Sequence, residues 1–525
     1  RSSDLTYGVQ DLVFCTGARN TPLLYGLDQF SNFKKFFIFE ERSAAFFALG
    51  RCQNSNLPVA IITTSGTAAA ELLPATIEAH YAGAPLILIS ADRPKDFRGT
   101  GAPQSIEQVN LFSNYVECVL DVDGKNTETS LEDLFSFKNW SQKMPLHINI
   151  CFTEPLLDKT APLSKVEEQN SDLKYISDLK QDYSLNPSLA SKLLTDFIHY
   201  KNPLILVSSL KSQDHNLVLN FLKNTTSPLY IESSSGLKNH KDLKERTIIS
   251  GEKHAKEWIQ KQGHGLLRLG GIPTTRLWRD LEDQFKHLEI LSISSLSFLG
   301  TTRKHPVLPL KILESYPAAQ LELKNFDLEF KKKDLERWNK IKELLKEFPQ
   351  SEPSLIHQLS NRVQTDLLYL GNSLPIREWD QFSDPQWNPS QVFSNRGANG
   401  IDGQLSSFLG AASLNPSHKS WGVFGDLTTL YDLSSPFILS QIQKINFTFV
   451  IINNQGGKIF QRLFHREDIL NRHEIEFKNW ADMWNLSYFK ITSLQEFENF
   501  NDSQVLEIAP NEKQTLAFWQ KYDQL

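Results

Sequence analysis

The sequence of 525 residues lacks any apolar run that approaches the 18 or more residues needed to cross a bilayer. Its longest apolar runs, Ala84 to Ala91 and Phe447 to Ile452, have the length of strands. We therefore expect no membrane span. There is also no excess of basic residues, because 55 Lys and Arg face 61 Asp and Glu for a formal net charge of −6. Nucleic acid is thus not an expected partner.

Cysteine is scarce, with Cys15, Cys52, Cys118 and Cys151 forming neither a CxxC pair nor a metal-finger spacing. This usage predicts reduced core thiols in a cytoplasmic protein. The sequence opens at Arg1 without methionine and has no charged-then-apolar signal segment, so a trimmed start and a divergent start both stay open. Apolar residues make up 40% and charged residues 22%, which predicts compact folding, and the length predicts roughly three domains.

Short strand-like runs alternate with helix-like stretches along most of the chain, a pattern typical of parallel α/β layers. The predicted strands are Asp11 to Cys15, Phe36 to Phe39, Pro58 to Thr64, Pro85 to Ser90, Pro145 to Cys151, Pro203 to Ser208, Pro228 to Glu232, Gly265 to Gly270, Glu289 to Ser294, Gln320 to Leu323, Asp366 to Gly371, Gln391 to Ser394, Trp421 to Gly425, Phe447 to Asn453 and Val505 to Ile508. Runs such as PVAIITT and APLILIS are apolar on both faces, as strands covered by helices on each side require. The sequence therefore predicts an α/β fold of three domains, each a mostly parallel sheet flanked by helices. Their predicted bounds are residues 1–163, 186–325 and 350–525.

Two polar stretches separate these blocks. Ser164 to Leu185 is polar and acidic without a buried strand, and we interpret it as a linker. Phe326 to Phe348 has the pattern of a charged amphipathic helix, and its Lys331, Lys332 and Lys333 are predicted to form a solvated face rather than a binding patch.

Polar residues follow two strands of the last block. Asp426 comes after the run WGVF and Gly425, and Asn454 comes after the run FTFVII, 28 positions later. A spacing of 28 residues is long enough for a helix and the next strand of a right-handed crossover. The side chains of Asp426 and Asn454 can then face the same point beyond the ends of two adjacent strands. A carboxylate, an amide oxygen and a loop carbonyl suit Mg²⁺, which in turn implies a phosphorylated ligand. Either segment alone would more simply be a helix cap or a turn, and the spacing favours the metal.

The first block carries two further candidates at strand ends. Glu41 precedes a helix of small residues, where the simpler interpretation is an acid that complements the helix dipole. Ser65 and Gly66 open an alanine-rich helix that lets the backbone approach a ligand, with a plain helix cap as the alternative. No GxSxG, GxxxxGK[ST] or GxGxxG pattern occurs in the required context, which disfavours a hydrolase elbow, ATP and NAD.

Arginines also gather in predicted strand-terminal loops beside glycines: Arg19, Arg93, Arg377 and Arg396. A single arginine is usually a surface group. Four arginines in such loops favour the binding of small anionic substrates through pairs of parallel hydrogen bonds. Carboxylates are the natural candidates for these anions.

Long stretches of the first and third blocks resemble the thiamine-diphosphate enzymes, and within them the group that acts in menaquinone biosynthesis. The matching stretches are TGARNTPL, EERSAAFFALG, TSGTAAAELLPATIEAHY, PLILISADRP, GAPQSIEQ, SNRGANGIDGQLSS, GDLTTLYDL and INNQGGKIF. The resemblance implies a pyrimidine-binding domain at 1–163, a central domain at 186–325 and a diphosphate-binding domain at 350–525.

The resemblance also implies the cofactor site. Asp426 and Asn454 would bind Mg²⁺, or Mn²⁺ in its place, with the Gly456 carbonyl as a third ligand. Glu41 would be the catalytic glutamate, hydrogen-bonded to the aminopyrimidine of thiamine diphosphate, and its apolar surroundings must hold it partly protonated. Ile401 resembles the bulky apolar residue that props the cofactor in a bent shape. The implied cofactor-binding residues are Glu41, Ser65, Gly66, Ile401, Gly425 and Leu427.

The implied reaction is decarboxylation of 2-oxoglutarate and conjugate addition of the succinyl-semialdehyde carbanion to isochorismate. Both substrates are dianions, which accounts for the arginines. By resemblance, Arg19, Arg93 and Gln104 would contact isochorismate or the shared centre. The succinyl carboxylate would be held by Ser373, Arg377 and Arg396, and the acceptor pocket would be lined by Ile459 and Phe460.

Two positions depart from the family pattern. Ala18 replaces a serine that many relatives place before the arginine, and Thr275 stands where a substrate-binding lysine is often found. We expect the neighbouring Arg276 to supply the missing charge.

Family architecture implies active sites between the first domain of one subunit and the last domain of another, so a homodimer is the minimum expectation and a homotetramer is common. The nearest alternative keeps the cofactor but changes the acceptor, as in acetolactate synthase. A non-catalytic relative is disfavoured by the intact Glu41, Asp426 and Asn454. A nucleotide-dependent dehydrogenase is disfavoured by the missing glycine fingerprint.

Overall fold

The computed structural model describes most of the chain. The described residues are 8–28, 30–123, 140–157, 186–261, 263–316, 327–363, 365–387, 391–462, 464, 466–493, 496 and 504–525. By their internal contacts the residues group into two compact units. The first comprises residues 1–181, 397–416 and 432–445, and the second comprises residues 182–396, 417–431 and 446–525.

The first unit contains one parallel sheet of six strands in the order β2-β1-β3-β4-β6-β5. The strands are β1 Asp11–Phe14, β2 Lys34–Phe37, β3 Val59–Thr63, β4 Leu86–Asp92, β5 Val119–Asp123 and β6 Leu146–Cys151. Its α-helices are Thr21–Leu27, Glu41–Ser55, Thr67–Ala70, Leu73–Ala82 and Gln404–Ala412. The inner strands β1, β3 and β4 are buried along their whole length, as strands covered on both faces should be.

Two helices of the first unit pack so closely that their contact requires glycine. The helix Gln404–Ala412 lies against the helix Glu41–Ser55, and a Cβ on Gly50 would stand 1.9 Å from the carbonyl oxygen of Ser407. Gly410 faces the first helix in the same way, where a Cβ would meet a backbone oxygen at 2.2 Å. This packing anchors the helix that begins at the candidate catalytic acid.

The second unit contains two parallel sheets. The five-stranded sheet has the order β11-β10-β9-β7-β8 and the six-stranded sheet the order β13-β12-β14-β15-β17-β16. The strands are β7 Leu204–Val207, β8 Leu229–Ile231, β9 Gly265–Leu269, β10 Glu289–Ile293, β11 Val307–Leu308, β12 Leu367–Leu370, β13 Gln391–Phe393, β14 Lys419–Gly425, β15 Asn446–Ile452, β16 Tyr488–Ile491 and β17 Val505–Ile508. The α-helices are Pro187–Lys201, His215–Lys223, Glu252–Lys261, Arg276–Asp280, Leu328–Glu347, Glu352–Arg362, Leu374–Phe382, Asp426–Tyr431, Lys478–Met483 and Glu512–Tyr522.

The predicted fold class is confirmed: three parallel sheets are flanked by helices. Each sheet lies within one predicted domain, although residues 397–416 and 432–445 group with the first unit. The domain bounds themselves stay a prediction. Three strands were not predicted, namely β5, β11 and β16, and all three lie at sheet edges, where shorter or less apolar segments suffice.

The predictions for the polar segments between the blocks differ in how they compare with the structure. The predicted linker 164–185 and a predicted strand at Gln320 to Leu323 lie outside the described residues. The predicted charged helix is present as Leu328–Glu347, but the interpretation of Lys331 as solvated was wrong. Its Nζ donates to the carbonyl of Thr247 at 2.7 Å and lies 3.3 Å from Asp334, so this lysine joins the helix to the neighbouring loop.

Among the described residues, none of the helices has the length and apolar character needed to span a bilayer.

Gly50→Ala tests the close helix contact. The added Cβ meets a backbone oxygen that cannot rotate away, so we expect a loss of about 1–3 kcal/mol in the free energy of unfolding. The matched control is Gly26→Ala in the helix Thr21–Leu27, where a Cβ meets no described atom within 4 Å and should stabilise by about 0.5–1 kcal/mol. Unfolding midpoints from scanning fluorimetry measure both, and a Gly50→Ala midpoint equal to that of the parent would contradict the packing argument.

Candidate active site

The ends of β14 and β15 bring the predicted metal-binding segments together. Gly425 pairs with Ile452 in the parallel register, so Asp426 leaves one strand at the level where the 453–457 turn leaves the next. The Gly456 N–H donates to Asp426 Oδ2 at 2.9 Å, and the Leu427 N–H donates to Oδ1 at 2.6 Å. The turn therefore folds onto the carboxylate, as the spacing predicted.

Asp426 is a buried acid, only 2% exposed. Burial raises the pKa of its carboxyl above the usual value, while the N–H donors of Gly456 and Leu427 oppose that shift. His473 Nε2 lies 3.3 Å from Oδ2. A desolvated carboxylate with acceptor capacity left is a suitable ligand for a cation.

Asn454 presents an amide oxygen to the same region. Its Nδ2 donates to both carboxylate oxygens of Glu352, at 3.0 and 2.9 Å. Its Oδ1 is buried and accepts no hydrogen bond from any described residue. Such an oxygen lacks a positive partner, so Asp426 and Asn454 fit an oxygen-binding cation such as Mg²⁺.

Gly456, the predicted third ligand, is fixed by its backbone. Its φ is +136°, and a Cβ there would lie 2.5 Å from the Leu470 carbonyl oxygen, so only glycine fits. Its carbonyl oxygen already accepts from the Lys458 N–H at 2.8 Å, which leaves one lone pair for another partner.

In the first unit, one of the adjacent acids Glu40 and Glu41 caps the helix and the other is the candidate catalytic acid, a distinction that the sequence alone does not make. Glu40 caps the helix Glu41–Ser55, because its carboxylate accepts from the N–H groups of Arg42 and Ser43 at 3.0 Å each. Capping is thus done by Glu40 rather than Glu41. Glu41 is half-buried, and burial raises the pKa of its carboxyl, in line with an acid held partly protonated.

Ser65 and Gly66 form a close-fitting turn after β3. Gly66 has φ +86°, and a Cβ on it would stand 3.1 Å from Cα of Gln104, itself a predicted substrate residue with a left-handed φ of 57°. The Gly66 N–H donates to Gln108 Oε1 at 2.7 Å. The Ser65 hydroxyl is buried without a hydrogen-bond partner among the described residues, so the turn fits a polar ligand.

Ile401 lies half-buried just before the helix Gln404–Ala412, in the same unit as Glu41. The turn that precedes it is held by Glu78, whose carboxylate accepts from the N–H groups of Gly397 at 2.6 Å and Ala398 at 2.7 Å. Sequence reasoning missed Glu78, and a lone acid inside an otherwise small and apolar helix was the available sign.

Arg19 and Arg93, the other predicted substrate residues of this unit, differ in their surroundings. Arg19 is buried, donates to the Phe152 carbonyl at 3.0 Å and forms an ion pair with Glu154 at 3.0 Å. Arg93 is half-buried directly after β4, and its buried Nε lacks a partner among the described residues. Arg19 is therefore bound to other groups of the protein, whereas Arg93 still has an N–H group that can donate a hydrogen bond to a ligand.

In the second unit, three predicted carboxylate-binding residues come together. Arg396 Nη1 donates to Oδ1 of Asn372, and Arg377 Nη1 donates to the carbonyl of Ser373 at 2.6 Å. Ser373 has a left-handed φ of 72°, a strained conformation that is common at ligand sites. Burial first, and then the charge of Arg396, lower the pKa of Arg377. Asp380 and Glu232 act on Arg377 in the opposite direction, so acids accompany the two arginines.

A cleft of about 1270 Å³ in the second unit joins several of these residues. Arg377, Asn454, Ile459 and Arg276 line it. Phe460 follows Ile459 and is 42% exposed. The cleft is thus bordered by groups of both charges, by the Asn454 amide and by an apolar side chain, and its acids include Glu252 and Asp380.

The loop that carries Thr275 and Arg276 is held by two acids that sequence reasoning missed. Glu232 accepts from the N–H groups of Thr274 and Thr275 at 2.6 and 2.8 Å. Glu252 accepts from the Thr275 hydroxyl at 2.5 Å and from the Arg276 N–H at 2.9 Å. Burial raises the pKa of Glu232 to about 7. Thr275 is therefore a structural anchor in this chain, while the Arg276 side chain is exposed at the cleft.

Comparison with known proteins gives a consistent result. A family model described as the N-terminal TPP binding domain of thiamine pyrophosphate enzymes matches residues 5–111. The chain is 43% identical to the 2-succinyl-5-enolpyruvyl-6-hydroxy-3-cyclohexene-1-carboxylate synthase of Bdellovibrio bacteriovorus, over 99% of this chain and 96% of the relative. Synthases of the same name from Akkermansia muciniphila and Bacillus pumilus are 33% and 30% identical, over 97% and 94% of this chain and 94% and 89% of the relatives.

These similarities extend over nearly the whole chain, including all three sheets. The chain therefore belongs to the 2-succinyl-5-enolpyruvyl-6-hydroxy-3-cyclohexene-1-carboxylate synthase family of thiamine-diphosphate enzymes.

Proposed function

We propose that this enzyme decarboxylates 2-oxoglutarate and adds the resulting succinyl-semialdehyde unit to isochorismate, as a step of menaquinone biosynthesis. The name of its relatives supports the product, 2-succinyl-5-enolpyruvyl-6-hydroxy-3-cyclohexene-1-carboxylate. In this proposal residues 1–163 bind the pyrimidine of the cofactor, residues 350–525 bind its diphosphate, and residues 186–325 form a central domain.

Thiamine diphosphate, when bound, supplies the nucleophilic carbon that attacks the keto group and stabilises the charge left by loss of CO₂. Asp426, Asn454 and the Gly456 carbonyl would hold Mg²⁺ or Mn²⁺ against the diphosphate. Gly425 and Leu427 flank Asp426 and would contact the cofactor there. The buried oxygens of Asp426 and Asn454 support this assignment because they need a positive partner.

Glu41 would hydrogen-bond to a nitrogen of the pyrimidine ring and so favour the imino form of the ring's amino group, which can accept a proton. The raised pKa of its carboxyl supports this role, and so does the capping of the helix by Glu40, which leaves the Glu41 carboxyl outside the cap. Ser65 and Gly66 would contact the same ring system, and Ile401 would press against it.

The observation that carries the substrate assignment is that Arg377 and Arg396 both bind the Asn372–Ser373 segment, where Ser373 is strained. Asp380 and Glu232 also act on Arg377, so this region holds charges of both signs. Guanidinium groups bind carboxylates through two parallel hydrogen bonds, and the distal carboxylate of 2-oxoglutarate has the required charge and shape.

Isochorismate would bind among the remaining predicted residues. Its two carboxylates would contact arginines, while Ile459 and Phe460 would cover its ring. The proposed cationic and polar contacts are Arg19, Arg93, Gln104 and Arg276. The position of Arg276 at the cleft supports its replacing the lysine that Thr275 lacks.

We further propose that the working form is a homodimer or homotetramer in which each active site draws Glu41 from one subunit and Asp426 from another.

The proposed reaction is tested by an assay of the purified enzyme with thiamine diphosphate, Mg²⁺, 2-oxoglutarate and isochorismate, each omitted in turn. We expect release of CO₂ and consumption of isochorismate only when all four are present, because each fills a distinct part of the site. Isochorismate is followed by its ultraviolet absorbance and CO₂ by a coupled assay. Product formation that continues without 2-oxoglutarate, or with pyruvate in its place, would contradict the proposal.

Arg396→Ala tests the donor pocket. Loss of a charge-assisted hydrogen bond of about 1.5–3 kcal/mol should lower kcat/KM for 2-oxoglutarate roughly tenfold to a hundredfold. The KM for isochorismate should change little. Arg362→Ala is the control, since Arg362 is an exposed arginine in the last turn of the helix Glu352–Arg362. Unchanged use of 2-oxoglutarate by Arg396→Ala would refute the assignment.

Mixing two inactive variants tests the shared site. Glu41→Gln and Asp426→Asn are each expected to lower turnover at least about 100-fold. After the two are mixed and allowed to exchange subunits, half of the dimers carry both variants, and one of the two sites in each is intact. We expect activity to recover to about a quarter of the parent value. No recovery despite exchange, verified by tagged subunits, would place both residues in the same chain.

A further inference from the structure

A buried acid lies directly behind the amide that is proposed to bind the cation. Glu352 is the first residue of the helix Glu352–Arg362 and is 2% exposed. Both of its carboxylate oxygens accept from Asn454 Nδ2, at 3.0 and 2.9 Å. Because a carboxylate only accepts hydrogen bonds, this contact decides which end of the amide faces Glu352. The NH₂ group points to the acid, and Oδ1 points away from it.

The oxygen of the Asn454 amide, which points away from Glu352, receives no hydrogen bond. Asn454 Oδ1 is buried and unpaired among the described residues. The turn that follows is locked in an unusual shape, with φ of 66° at Gln455 and 136° at Gly456, and its Gly456 N–H is bonded to Asp426. A free side-chain amide could relieve its unpaired oxygen by rotating, but Glu352 prevents this.

We propose that Glu352 is a positioning residue for the cation site: it fixes the Asn454 amide so that the oxygen, not the nitrogen, faces the ion. This inference rests on the proposed function, which places a divalent cation between Asp426 and Asn454. Carboxylates behind metal ligands commonly act in this way, by orienting the ligand and strengthening it as a donor of electron density.

Other contacts of Glu352 hold the residue in place. Its own N–H donates to Thr515 Oγ1 at 3.0 Å, which fixes the start of the helix. Glu378 is the neighbouring buried acid, and burial together with the charge of Glu352 raises the pKa of Glu378 well above its usual value. Burial also raises the pKa of Glu352, to about 7, so it is the geometry of the contact with Asn454, and not a charge on Glu352, that orients the amide.

The adjacent residue offers a matched control. Asn453 Nδ2 donates to Glu507 Oε1 at 2.8 Å and to the Ile475 carbonyl at 2.9 Å. Glu507 is also fully buried. Glu507→Gln therefore makes the same chemical change, next to an asparagine that is not proposed to bind the ion. It reports what loss of a buried carboxylate does by itself.

The test measures binding of Mn²⁺ by electron paramagnetic resonance, in the presence of saturating thiamine diphosphate, which counts free and bound ion without any turnover. We expect Glu352→Gln to raise the dissociation constant for Mn²⁺ about tenfold, because only one of the two oxygens that accept from Asn454 remains. Glu352→Met, which keeps the length but has no acceptor, should raise it further, towards about a hundredfold. Glu507→Gln should stay within about twofold of the parent.

The unfolding midpoint of the metal-free protein separates positioning from a structural role. We expect Glu352→Gln to keep or raise that midpoint, since burial disfavours the ionised form of the glutamate and glutamine carries no charge. Binding of Mn²⁺ by Glu352→Gln at the parent affinity would overturn the inference. So would an equal loss of affinity in Glu507→Gln. If the parent itself binds no Mn²⁺ with the cofactor, the proposed function fails instead.

Discussion

The cation end of the candidate site depends on one hydrogen bond, from the Gly456 N–H to the buried carboxylate of Asp426. It forms because β14 and β15 are adjacent and parallel, so that Gly425 and Ile452 end side by side. A carboxylate removed from water must find partners, and the turn after β15 supplies one at the cost of a left-handed Gln455 and an obligatory glycine. The strain in this turn is thus explained by the charge it surrounds.

Buried acids that hold backbone or amide N–H groups recur throughout the molecule. Glu78 binds the turn before Ile401, Glu232 binds the loop before Arg276, and Glu352 binds the Asn454 amide. In each case a buried carboxylate on a helix or at a strand end fixes a loop that carries a candidate site residue. Such bonds are stronger than neutral ones and tolerate little displacement, which suits loops that must present a side chain in one orientation.

The sequence predicted the parts of this arrangement that depend on local pattern. Apolar runs on both faces predicted the inner strands, and polar residues immediately after WGVF and FTFVII predicted a site at adjacent strand ends. It did not predict the short edge strands β5, β11 and β16, whose pairing is decided by neighbours distant in sequence. Nor could it reveal Glu352, which lies 102 positions before the asparagine that it holds. Partners of buried acids are set by the tertiary fold, and no local spacing records them.

The central claim is that Asp426 and Asn454 hold a divalent cation against the cofactor diphosphate while Glu41 faces the cofactor ring. A crystal structure of the assembled enzyme with thiamine diphosphate and Mn²⁺, with anomalous scattering recorded at the manganese edge, tests it most directly. The account predicts one anomalous peak coordinated by Asp426 Oδ, Asn454 Oδ1 and the Gly456 carbonyl, and a Glu41 carboxyl within hydrogen-bonding distance of the pyrimidine ring. A peak elsewhere, or a ring remote from Glu41 of every subunit, would contradict it.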